Sequence, residues 1–131
     1  IYSIRTVQYG MIHHVYVHIY TIHTVFYFMN TETYDQIPVN REKVGVAVRF
    51  LRENTKCNVV LYGEEVIAIE LPNVVTLTVK QTDPGHKGDT AQGALKPATL
   101  DTGTVVNVPL FINEGDDIRV NTDSGEYVER A

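Results

Sequence analysis

Residues Gln81 to Phe111 read QTDPGHKGDTAQGALKPATLDTGTVVNVPLF, and the architecture follows from the two ends of that stretch. Asp83-Pro84-Gly85 is a tight turn: the proline presets φ at the first turn position and the glycine supplies a positive φ after it. Before the turn, Val75, Leu77 and Val79 alternate with Val74, Thr76, Thr78 and Lys80, as in a half-buried strand. Beyond the stretch's middle, Val105-Val106-Asn107-Val108-Pro109-Leu110-Phe111 resumes an extended apolar run. The spacing therefore predicts two strands flanking a loop from Gly85 to Gly103. That loop holds two lysines and few large apolar residues, so it cannot bury itself, and loops of this length are functional or disordered more often than mere connectors.

Outward from the loop, the chain is predominantly strand. On its far side Ile118 to Thr122 alternates, Asp123-Ser124-Gly125 turns, and Glu126 to Arg130 forms a last strand. On its near side Asn58–Tyr62 and Glu65–Glu70 are separated by Gly63-Glu64, a hairpin spacing. The period changes once. Asn40 is placed to cap a helix, Glu42 lies in its first turn, and Val44, Ala47, Val48 and Leu51 form an apolar stripe, predicting a short helix over 41–53. Its other side bears Arg41, Lys43, Arg49 and Arg52, read first as a solvated face and second as an RNA contact. Residues Ile1 to Phe28 are rich in Ile, Val, Tyr and Thr and read as strand. Pro72 cannot donate to a strand ladder, so Leu71-Pro72-Asn73 reads as the joint between residues 1–70 and residues 71–131. The fold class is all-β: two small barrels in tandem, with one short helix in the first.

Of 131 residues, 44% are apolar and 21% charged, a globular composition that leaves no room for a collagen, coiled-coil or disordered reading. No apolar run approaches the roughly 20 residues of a membrane helix and no signal peptide opens the chain, so membrane association is not expected and the location is read as cytoplasmic. Net charge is −5, from 16 acidic and 11 basic side chains. A protein that coats nucleic acid carries a basic face, so any RNA contact here must be local.

Few residues are candidates for chemistry. Cys57 cannot form an internal disulfide and reads as a buried, inert thiol. His14 and His18 share one face of a strand, but i, i+4 on a strand separates them by about 13 Å, so they read as surface histidines and not as metal ligands. Asp116-Asp117 lacks the oxygen series of a calcium loop and reads as a turn. Asp83, His86 and Asp89 are the one arrangement that an enzyme would use, as base, orienter and acid of a small hydrolase, yet no nucleophile accompanies them. No phosphate-cradling or dinucleotide fingerprint occurs, and no cofactor, metal or small-molecule substrate is called for. The same loop serves binding better. Lys87 and Lys96 are placed to meet phosphate, Gly88 and Gly93 allow close backbone approach, and Asp89, Thr90 and Thr99 offer hydrogen bonds to bases or ribose.

The runs DPGHKGDTA, KPATLDTG and VPLFINEGDDIRVNTDSGEYVERA resemble the carboxy-terminal domain of the bacterial elongation factor P family, and FMNTETYDQIPV, FLREN and ELPNVV resemble its middle domain. The likeness covers Phe26 to Ala131; residues 1–25 match poorly, and Gln92-Gly93-Ala94-Leu95 departs from the two or more glycines usual after GDTA. The resemblance implies two OB-fold-like barrels, a middle domain over 1–70 and a C-terminal domain over 71–131. It implies a non-enzymatic translation factor that binds the ribosome beside peptidyl-tRNA, touching rRNA and the exit-site codon of mRNA. Such a factor promotes peptide bond formation and relieves stalling at proline runs. The contact role falls on Lys87, Gly88, Asp89, Thr90, Ala91 and Lys96. No segment resembles the family's amino-terminal domain, whose modified lysine reaches the peptidyl transferase centre, so the expectation is a chain that docks without stimulating. A general single-strand RNA module of the OB type is the alternative; it would need stacking aromatics, and the later half offers Phe111 and Tyr127.

Overall fold

A computed structural model describes residues 11–84 and 94–131. The molecule divides into two compact units, Ile1–Pro72 and Asn73–Ala131. Each is built on one curled five-stranded sheet.

In the first unit the strands are β1 (Met11–Ile22), β2 (Val25–Asn30), β3 (Gln36–Asn40), β4 (Lys56–Tyr62) and β5 (Glu65–Glu70), in the order β3-β2-β1-β4-β5, every pairing antiparallel. Its core is apolar residues from alternating strand positions, among them Tyr16, Phe26, Phe28, Val39 and Val59. Pro38 lies in the middle of the edge strand β3, opposite Tyr27. Arg41 N–H bonds the Thr24 carbonyl and Asn30 N–H the Asp35 carbonyl, so the alternation of the ladder turns the Pro38 nitrogen outward, where a missing N–H costs the sheet nothing.

The helical segment is shorter than its apolar stripe predicts. One α-turn, α1 (Arg41–Val44), passes at Gly45 into a 3-10 turn, Gly45–Phe50. Gly45 sits at φ 65°, ψ −140°, outside helical space, and the β-branched Val44, Val46 and Val48 around it do little to favour a longer helix. Asn40 makes no side-chain cap. The stripe itself is core, with Val44, Ala47 and Leu51 buried and Val48 half-buried against them.

His18 departs most from its reading. It is 2% exposed, with its ring 5.4 and 5.5 Å from those of Phe26 and Phe28. Nδ1 lies 2.9 Å from the Arg52 carbonyl and Nε2 2.8 Å from Thr21 Oγ1. A carbonyl only accepts, so Nδ1 carries a proton; in the neutral ring Nε2 then accepts from the Thr21 hydroxyl. The His18 backbone bonds both Thr55 and Asn54. One residue thus ties β1, at its bulge, to the segment that follows the 3-10 turn.

The second unit comprises β6 (Val74–Thr82), β7 (Leu95–Leu100), β8 (Val105–Pro109), β9 (Asp117–Asn121) and β10 (Tyr127–Arg130), ordered β10-β9-β6-β7-β8. The inward row of β6 is Val75, Leu77 and Val79, all buried. Strand β7 falls inside the predicted loop of 85–103 and corrects it. Lys96 at an inward position hides the alternation that Ala98 and Leu100 continue, and Pro97 argues against a central strand. Pro97 is tolerated because the ladder to β6 stops one residue short of it, at the pair Thr82 and Ala98.

Both units use one hairpin design. Asn30 and Asn121 each accept, through Oδ1, the backbone N–H groups two and three residues on, at 2.8 to 3.0 Å. In each, the asparagine N–H donates to the carbonyl five residues on, and the residue four on donates back. That fourth residue has positive φ: Tyr34 at 66° in the first unit and Gly125 at 76° in the second.

Candidate functional site

The two strands that lead into and out of residues 85–93 are β6 and β7, and their ends form a braced neck. Thr82 Oγ1 donates to the Pro97 carbonyl at 2.9 Å, and the Thr82 N–H donates to Glu114 Oε2 at 3.2 Å. Lys96 is 7% exposed and its Nζ donates to the Asp83 carbonyl. Beneath them the turn before β9 closes on β6: Gly115 N–H donates to the Val79 carbonyl at 2.8 Å and Val79 N–H to the Asp116 carbonyl at 2.9 Å. Asp116 Oδ2 accepts the Asn113 N–H at 2.9 Å, which makes this carboxylate a turn brace.

Lys87, Gly88, Asp89, Thr90 and Ala91 lie outside the described residues, as do His86 of the hydrolase arrangement and Gly93. Of the lysines read as phosphate contacts, Lys96 alone is described. It points inward from β7 to the neck, where a backbone carbonyl takes its ammonium. Asp83 is exposed at the neck and Thr99 half-buried on β7. Sequence reasoning missed Thr82 and Glu114 because they meet across 32 residues, with no local pattern to join them.

Elsewhere, Phe111 is 57% exposed, with the Arg130 guanidinium 5.0 Å above its ring, while Tyr127 is half-buried. In the first unit Arg41, Lys43 and Arg49 are exposed; Lys43 lies 3.7 Å from Glu65, and the Arg49 guanidinium stands 5.0 Å from the ring of Phe50. Burial pushes the Cys57 thiol up to about 12, far from the range in which a thiolate nucleophile operates. Among the described residues no three His, Cys, Asp or Glu side chains converge as a metal site, and no helix is long and apolar enough to cross a membrane.

Two curled, OB-like sheets in one chain, with a braced loop neck on the second, define an all-β protein of tandem small barrels. A family model for the elongation factor P OB domain matches residues 14–69, and one for the elongation factor P C-terminal domain matches residues 75–130. The first match takes in residues 14–25, which the resemblance read from motifs left out. The chain is 50% identical to elongation factor P of Clostridium tetani (strain Massachusetts / E88) over 113 residues, and as similar to that of Thermoanaerobacter sp. (strain X514). Elongation factor P of Clostridium botulinum (strain Hall / ATCC 3502 / NCTC 13319 / Type A) is 47% identical over the same length. Each alignment covers 86% of this chain and 61% of the relative. The chain belongs to the elongation factor P family, and it spans about 61% of the length of these relatives.

Proposed function

We propose that this chain supplies the docking domains of a cytoplasmic translation elongation factor. It seats beside peptidyl-tRNA on the ribosome, where the factor promotes peptide bond formation and relieves stalling at proline runs. The observation that carries this reading is 50% identity to proteins named elongation factor P across both barrels. In this reading residues 85–93 make the RNA contact. Lys87 meets phosphate, Gly88 lets backbone approach closely, and Asp89, Thr90 and Ala91 complete the contact to tRNA, rRNA or the exit-site codon. An overall charge of −5 favours recognition of a preshaped cleft over coating of RNA. No residue is assigned a catalytic role, and the buried Cys57 gives no support to one.

Co-sedimentation with ribosomes tests the proposal. Pelleting should depend on peptidyl-tRNA; pelleting that ignores its presence, or none at all, would refute it. His86→Ala separates factor from hydrolase: binding should survive this change, whereas an enzyme using the Asp83, His86 and Asp89 loop would lose nearly all activity.

A further inference from the structure

Lysine is among the side chains least often buried without a partner. Lys96 nevertheless takes an inward position on β7, followed at the next inward positions by Ala98 and Leu100, and is 7% exposed. A leucine would fill such a position without the penalty of removing an ammonium from water. The carbonyl it binds explains the choice. Asp83 lies one residue beyond the last β6–β7 pair, Thr82 with Ala98, so the ladder no longer supplies a donor there. Pro84 follows and has no N–H of its own to continue the pairing. The Lys96 ammonium reaches across the neck and holds the backbone at the point where β6 has ended. From the other strand, the Thr82 hydroxyl holds the Pro97 carbonyl at 2.9 Å. The two bonds are reciprocal, each strand lending a side chain to the other's backbone, and Glu114 secures the Thr82 N–H from a third segment.

We infer that Lys96 is a positioning residue: it fixes the Asp83 carbonyl and so sets the direction in which the chain leaves β6 toward the RNA-binding segment, without touching RNA phosphate. The inference rests on the docking role proposed above and changes the part that Lys96 plays in it. A hydrogen bond from a charged donor is strong enough to shift a local equilibrium about tenfold or more.

The experiment compares Lys96→Met with Lys87→Met in the full chain, measuring affinity for ribosomes that hold peptidyl-tRNA as a function of potassium chloride. Removing one lysine that neutralises a phosphate lowers the slope of log affinity against log salt by roughly 0.7 to 0.9. Lys96→Met should weaken binding about tenfold with an unchanged slope, at a temperature where the variant is fully folded. Lys87→Met should lower the slope. A slope that falls for Lys96→Met overturns the inference. If Lys96→Met does not fold, Lys96→Gln, which is neutral but keeps an N–H donor for the Asp83 carbonyl, carries the same slope test. A second readout needs no ribosome: in the free chain, Lys96→Met should quicken amide exchange at Thr82 about tenfold and leave Leu77 unchanged. Unaltered exchange at Thr82 overturns the positioning role. Failure of the unaltered chain to bind ribosomes, with Thr82 exchange still responding to Lys96→Met, overturns the docking proposal alone.

Discussion

Replacing His18 should be among the most damaging single changes to the first unit, and its cost divides into parts that two variants separate. The ring makes two hydrogen bonds, at 2.9 and 2.8 Å, each contributing about 1 kcal/mol net. It also fills a site 2% exposed against Phe26 and Phe28, and emptying a site of this kind costs about 2 kcal/mol more in transfer energy and cavity. His18→Ala should therefore destabilise by about 4 kcal/mol. His18→Phe keeps an aromatic ring in the site but strips both bonds from Arg52 and Thr21, for about 2 kcal/mol. Urea unfolding monitored by circular dichroism gives both values, provided the transition of the first unit is resolved from that of the second. A loss under about 1 kcal/mol for His18→Ala would refute the placement of this ring as a tie between β1 and the Arg52–Thr55 segment. Equal losses for the two variants would refute the division between packing and hydrogen bonding.

Asn30→Ala and Asn121→Ala each remove two bonds from a side-chain oxygen to backbone N–H groups, and each should cost about 1 to 2 kcal/mol in thermal unfolding. Gly45→Ala meets no atom within 4 Å but must adopt φ +65°; it should cost about 1 to 3 kcal/mol, read by urea titration, and should leave the helical content unchanged. The Cys57 thiol, raised from 9.0 to about 12 by burial, should resist alkylation at pH 8 until urea unfolds the chain. Because the folded state then holds a proton that the unfolded state releases, this thiol's contribution to stability is complete below pH 9. It should fall by about 1.4 kcal/mol per pH unit as pH rises from there toward 12.

Much of the fold was legible because most strands carry their own alternation: Val75, Leu77 and Val79 announce β6, and the Gly63-Glu64 spacing announces the β4–β5 hairpin. Strand β7 was not legible. Its inward row opens with a lysine whose burial depends on a carbonyl thirteen residues away, and its proline is harmless only because of where the neighbouring ladder stops. The helix over 41–53 was overdrawn for a related reason: the stripe is real, but a chain can bury Val44, Ala47 and Leu51 through a single α-turn and a 3-10 turn once Gly45 leaves helical space. His18 looks like its neighbours His13 and His14 in sequence, and only a strand bulge and the return of residues 52–55 enclose it. The neck at the candidate site was hidden likewise. Thr82, Asp83, Lys96 and Glu114 are ordinary singly and acquire meaning by meeting.

Pro38, seated mid-strand at the border of the first sheet, has a bearing on how this protein behaves when concentrated. A bare strand border invites a neighbouring polypeptide to add itself by backbone pairing, and an imino acid withholds one donor from any such newcomer. That side of the barrel is thereby blunted against runaway stacking, whatever the outer surface of the sheet is used for.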